Sequence, residues 1–202
     1  MKNNLIKSSG IFGLMTFLSR ILGFARDMVT AYVFGASPEY DAFILAFRIP
    51  NLMRRLFAEG AFSQAFVPVM SAYRLKKEHA QVLQFISRIT GSLGMIVFIV
   101  ALLGILAAPL IVRIFAPGFN ASTGKISLAV EMLRITFPYI FFISLTALTG
   151  GILNAYGRFG AAAFTPIFLN VCMIIASLYF VGFFTVPEKA LAWGVCIGGL
   201  VQ

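Results

Sequence analysis

"ITGSLGMIVFIVALLGILAAPLIV", residues 89–112, contains no charged side chain. At 1.5 Å of rise per residue, a helix needs ~20 apolar residues to cross the hydrocarbon of a bilayer. This stretch exceeds that length. Its neighbours repeat the pattern, being uncharged from 135 to 157 and from 159 to 187. Six candidate spans emerge, at about 11–34, 41–72, 84–112, 127–154, 159–183 and 188–202. Polar breakers separate them: "FGASPEYD" (34–41), "RLKKEHAQ" (74–81), "APGFNASTGK" (116–125), "NAYGRFG" (154–160) and "FFTVPEK" (183–189). The expected fold is all-α, a polytopic transmembrane bundle. Charged residues make up 11% of the chain, against about 25% in soluble domains, and the mean hydropathy is +0.94.

Three details qualify the division. The second candidate is ~50 Å long if straight, so it must bend at Pro50 or project beyond the bilayer. Pro138 and Pro166 also lie inside helical runs, where each removes a backbone donor and favours a kink. The sixth candidate reaches only ~21 Å and has no flanking polar end, so the chain reads as a fragment of a longer protein. The opening "MKNNLIKSSGIFGLMTFLSR" resembles a secretory leader. Arg20 interrupts its apolar run and no small-x-small site follows, which favours a retained first helix. Lys2, Lys7, Arg74, Lys76, Lys77, Arg88 and Arg158 fall on one side of the expected membrane, and Arg113, Lys125 and Lys189 on the other. Seven against three places the N-terminus in the cytoplasm.

The net charge of +9 does not indicate nucleic acid, because several of the basic residues sit inside apolar segments rather than on a soluble face. Cys172 and Cys196 lie in apolar runs without CxxC spacing, as expected of small core residues. No cofactor or metal site is suggested.

The charges within the first two spans set the functional question. Arg20 lies ~14 Å into the first helix and Arg26 ~12 Å from its far end. Arg54, Arg55 and Glu59 lie deep in the second. Each central arginine costs ~2.5–3.5 kcal/mol on insertion scales, so three cost on the order of 10 kcal/mol, comparable with a domain's net stability. Helical geometry puts Asp41, Arg48 and Arg55 on one face, joined by Glu59, and Arg20 with Asp27 on another. Arg54 points ~100° from Arg55, and Arg26 lies ~120° around from Arg20. Five arginines (20, 26, 48, 54, 55) meet three acids (27, 41, 59). An ion-pair network clamping the two helices leaves that surplus unmatched. A hydrated cationic cavity for an anionic substrate uses it, and guanidinium suits phosphate through its permanent charge and planar fork of donors. The central spans then act as scaffold, with Glu131 and Arg134 a peripheral i,i+3 pair and Asn170 an inter-helix hydrogen bond. Gly23, Gly35 and Gly60 serve bending or close packing.

"SRILGFARD" (19–27), "PNLMRRLFAEGAFSQAFVPV" (50–69) and "ITFPYIFFISLTALTGGILNAYGRF" (135–159) resemble the MurJ/MviN lipid II flippases of the multidrug/oligosaccharidyl-lipid/polysaccharide exporter superfamily. The likeness covers essentially the whole chain but only the N-terminal part of that family's length. It implies a six-helix N-terminal lobe of a two-lobed transporter, not an enzyme, in the bacterial inner membrane. Its implied partners are membrane lipids, a C-terminal lobe and lipid II, carried from the cytoplasmic to the periplasmic leaflet. The family's substrate-binding arginines match Arg20, Arg26 and Arg54. Asp27, Asp41, Arg48, Asn51, Arg55 and Glu59 match polar positions for which the resemblance implies cavity or gating roles. An exporter of another lipid-linked glycan or of a drug is the alternative. A polyprenyl-diphosphate enzyme would need clustered carboxylates for Mg²⁺ or a nucleophile, and the sole histidine, His79, lies in a basic loop.

Overall fold

In the computed structural model, the backbone is described over residues 2–55, 61–119 and 124–202. Side chains are described over the same residues except 2–9, 11, 12, 54, 61–63 and 159–163. The chain is all-helical among these residues: α1 (Lys2–Phe34), α2 (Pro38–Arg54), α3 (Ala61–Lys76), α4 (His79–Leu106), α5 (Ala108–Phe115), α6 (Lys125–Thr136), α7 (Tyr139–Ala155), α8 (Phe159–Tyr179) and α9 (Lys189–Val201), with a short 3₁₀ turn at Val181–Phe183.

Two of the apolar runs are therefore broken in two. Pro109 in the first turn of α5 separates it from α4 at Ala107. Phe137 and Pro138 separate α6 from α7. Phe137 swings its ring into α4 beside Gly104, where a Cβ would overlap it. In the second run α2 passes through Pro50 without interruption and ends at Arg54. Pro50 cannot donate to the Ala46 carbonyl one turn back. Instead the buried Thr136 hydroxyl on α6 lies 3.3 Å from that oxygen and 3.2 Å from Leu133 O, so one proton serves both. Helix thus continues past Pro50 to Arg54, and residues 56–60 lie outside the described residues. Pro166 likewise lies inside an unbroken α8.

The α1–α2 turn is built locally. Gly35 takes φ +58°, the left-handed region in which a helix commonly stops. Ser37 then caps α2 by accepting from Tyr40 N–H at 3.0 Å, Pro38 opens the helix, and Glu39 and Asp41 lie in its first turn. Those carboxylates face the positive end of the helix dipole.

The buried core gathers around α7, against which α2, α3, α4, α8 and α9 all pack. α9 sits close on α8: a Cβ at Gly198 would lie 3.2 Å from Leu169 Cα, and one at Gly194 2.8 Å from Ala176 Cβ. Cys172 belongs to this contact, with its Cβ 3.5 Å from the same Gly198 position. Small residues here allow two backbones to approach, as in membrane helix pairs. α4 differs, with Met95, Ile96, Phe98, Ile99, Val100, Leu102, Leu103 and Leu106 all exposed. Its mean hydropathy over the best window is 2.5, so this surface suits lipid. α1 rests on α8, while α2 rests chiefly on α6. The first two helices meet at their shared turn and have no packed seam beyond it among the described residues.

Candidate functional site

The charges singled out above that have described side chains lie on α1 and α2. On α1, Arg26 is held from two directions. Its Nε and Nη2 donate to Asp27 Oδ1 at 3.0 and 2.7 Å, and its Nη1 donates to Asn170 Oδ1 at 2.9 Å. Asn170 Nδ2 in turn donates to the Ser19 carbonyl at 3.3 Å. Asp27 therefore pairs with its sequence neighbour rather than with Arg20, although residues i and i+1 ordinarily diverge on a helix. The arginine's reach and its α8 anchor bring the two together. The Arg26 side chain is 21% exposed and that of Asp27 67%. Arg20 is exposed, with no ion pair among the described residues.

On α2, Asp41, Ile44, Arg48, Leu52 and Arg55 form one exposed stripe, while Ala42, Phe43, Leu45, Ala46 and Ile49 are buried on the opposite side. The seven-residue spacing of Asp41, Arg48 and Arg55 thus does place them on a common face. Asp41 also faces Lys125 Nζ at 3.5 Å. With Arg48 it lines a groove of about 430 Å³ against Phe115–Phe119. Asn51 is half-buried. Arg55 closes α2, its backbone N–H reaching Asn51 O and Leu52 O. The Arg54 side chain, Glu59 and Gly60 lie outside the described residues, and the Arg55–Glu59 pairing with them.

Counting from the shared turn at 1.5 Å per residue, Arg26 lies ~12 Å and Arg48 ~15 Å along their helices, while Arg20 lies ~21 Å and Arg55 ~25 Å. Each helix therefore carries two described guanidinium groups at similar distances along its own axis from the shared turn. Four such groups (20, 26, 48, 55) and three carboxylates (27, 39, 41) have described side chains on the two helices, leaving an excess of one positive charge before Lys125 is added. The described ion pairs are Arg26–Asp27 within α1, Asp41–Lys125 between α2 and α6, and Glu131–Lys189 between α6 and α9. None joins α1 to α2. Glu131 meets Lys189 at 2.7 Å rather than Arg134, because α9 packs on α6 and brings a lysine to it.

Two polar groups gained weight only with the fold. Asn170, the single amide in the apolar run 159–187, holds the central arginine. Glu188, buried ahead of α9, accepts from Ser37 Oγ at 2.8 Å and ties the α1–α2 turn to α9. Its position beside the terminal lysine of a loop gave no signal of that bond. No cluster of metal-ligating side chains occurs among the described residues.

Comparison with known proteins bears on this arrangement. Residues 30–202 match the family described as "Lipid II flippase MurJ". A probable lipid II flippase MurJ of Buchnera aphidicola subsp. Baizongia pistaciae is 50% identical over 199 residues, covering 98% of this chain and 39% of the relative. The lipid II flippase MurJ of Burkholderia cenocepacia is 44% identical over 187 residues, covering 93% of this chain and 36% of the relative. A solved structure, lipid II flippase MurJ in an inward closed conformation, superposes with a TM-score of 0.80 at 34% identity, covering 94% of this chain and 39% of that one. The chain thus spans about two-fifths of the length of these proteins. Its all-helical fold, its paired helices rich in arginine and these matches converge: this chain belongs to the MurJ lipid II flippase family.

Proposed function

We propose that this chain, residues 1–202, is the N-terminal six-span lobe of a two-lobed flippase. In that reading it moves undecaprenyl-diphosphate-linked peptidoglycan precursor from the cytoplasmic to the periplasmic leaflet of the inner membrane. Arg20, Arg26 and Arg54 hold the diphosphate, and the N-terminus lies in the cytoplasm. The observation that carries the reading is the uncompensated positive charge on two helices that share a turn but no seam. A saccharide–diphosphate head cannot cross hydrocarbon unaided, whereas its polyprenyl tail need never leave it. Guanidinium groups inside a wet cleft replace part of the hydration that the diphosphate gives up. A second lobe facing this one closes the chamber, and rocking of the two exposes it to each side in turn. Asp27, Asp41, Arg48, Asn51, Arg55 and Glu59 then set the charge and gating of the walls. Exposed Ile21, Phe24 and Met28 on α1 meet lipid or the tail.

The same arginines would accept another polyprenyl-diphosphate glycan, which is the second reading; a cationic drug fits them poorly. The test is translocation by the full-length protein with Arg26→Ala or Arg54→Ala. Both variants should insert normally and lose transport of lipid II. Normal transport by either would remove that arginine from the binding role. Equal transport of an unrelated diphosphate-linked glycan by the unaltered protein would favour the second reading.

A further inference from the structure

We infer that Asn170 is a positioning and specificity-determining residue, an uncharged holder that aims Arg26 while leaving its charge available to an anion. The inference rests on the reading of Arg26 as a diphosphate ligand. Asn170 is 6% exposed in an otherwise apolar helix, where an unbonded amide would be costly. Both its ends are used. Guanidinium offers only donors and a backbone carbonyl only accepts, so Oδ1 must face Arg26 and Nδ2 must face Ser19 O. Gly23 lies beside this amide, where even a Cβ would stand at an ordinary contact distance of 3.7 Å from Nδ2. The amide therefore fixes where α1 sits on α8 and where the guanidinium points.

Three of the five Arg26 N–H groups are engaged by Asp27 and Asn170. One N–H on each terminal nitrogen remains for a ligand. Asp27 is largely exposed and can be displaced, but Asn170 is buried and stays. A carboxylate at position 170 would make the same bond to Nη1 and cancel the charge that an anionic substrate needs. The amide gives orientation without neutralisation.

The experiment compares full-length protein carrying Asn170→Asp, Asn170→Leu or Arg26→Ala, measuring lipid II affinity and thermal unfolding in parallel. Asn170→Asp keeps the bond to Arg26, gives up the Nδ2 bond to Ser19 O and adds a negative charge, so affinity should fall about tenfold or more while Tm falls less than in the Leu variant. Asn170→Leu loses both hydrogen bonds, so it should lower Tm more but affinity only about threefold. A merely structural asparagine predicts the opposite ranking, with Leu harming binding more than Asp. That ranking, or wild-type affinity in Asn170→Asp, overturns the inference. Wild-type affinity in Arg26→Ala overturns the underlying reading of Arg26, and the inference with it. If neither Asp nor Leu variant is recovered folded, Asn170→Ser decides. It is neutral and small, and about threefold weaker binding supports the role whereas unchanged binding ends it.

Discussion

α8 presents two faces, and they are built by different physics. Toward α9 it meets glycines: Gly194 and Gly198 bring that helix against Ala176, Cys172 and the backbone of Leu169. Toward α1 it meets polar groups, through Asn170 to Arg26 and to the Ser19 carbonyl. The first face depends on shape, and close-packed shape tolerates no displacement without loss of contact. The second is the more extensive contact and adds directional bonds through Asn170. A glycine seam and a hydrogen-bonded seam thus lie on different faces of one helix.

The sharpest way to break this contrast is Gly198→Leu. Its side chain would meet Leu169 Cα, which cannot turn aside, so the full-length protein should lose about 3 kcal/mol, seen as a fall in Tm in detergent. An unchanged Tm would mean that the α8–α9 seam has slack after all. Next in size is Thr136→Val, a third kind of contact, where α6 supplies the proton that Pro50 cannot. Leaving the Ala46 carbonyl unpaired should cost about 1–2 kcal/mol in the same measurement. Ser37→Ala removes the cap of α2 and should cost about 1 kcal/mol, with faster hydrogen exchange at Tyr40 N–H as its local signature. The smallest effect sharpens the comparison from the other side. Gly23→Ala adds a methyl at ordinary contact distance from Asn170, so stability should change by less than about 0.5 kcal/mol and transport should persist. A large loss there would show the α1 seam to be as tight as the α9 seam.

Much of this architecture could be read from the order of residues. Apolar runs marked where helices lie, and the turn at "GASPEYD" carried its own capping chemistry. Asp41, Arg48 and Arg55 share a face because a spacing of seven is nearly two helical turns, which no distant residue alters. The points of division were harder. Pro50 should kink a helix taken alone, but Thr136 repairs the missing bond from 90 positions away. Phe137 breaks a run partly because Gly104 offers a place for its ring. α1 begins at Lys2 rather than near residue 11, since helix can continue into polar sequence without a membrane around it. The partners of Arg26 were illegible for the same reason as Pro50. Its geometry depends on an amide 144 residues distant, so helix periodicity could rank the faces but not choose the bond.

The Ser37–Glu188 hydrogen bond ties the α1–α2 turn to α9, so a rotation of α1 would be hinged at that turn. A swing of α1 by about 10° about it would carry the backbone of Arg26 by ~2 Å and that of Arg20 by nearly 4 Å, from their lever arms of ~12 and ~21 Å. Arg20 would then move nearly twice as far as Arg26 for the same rotation.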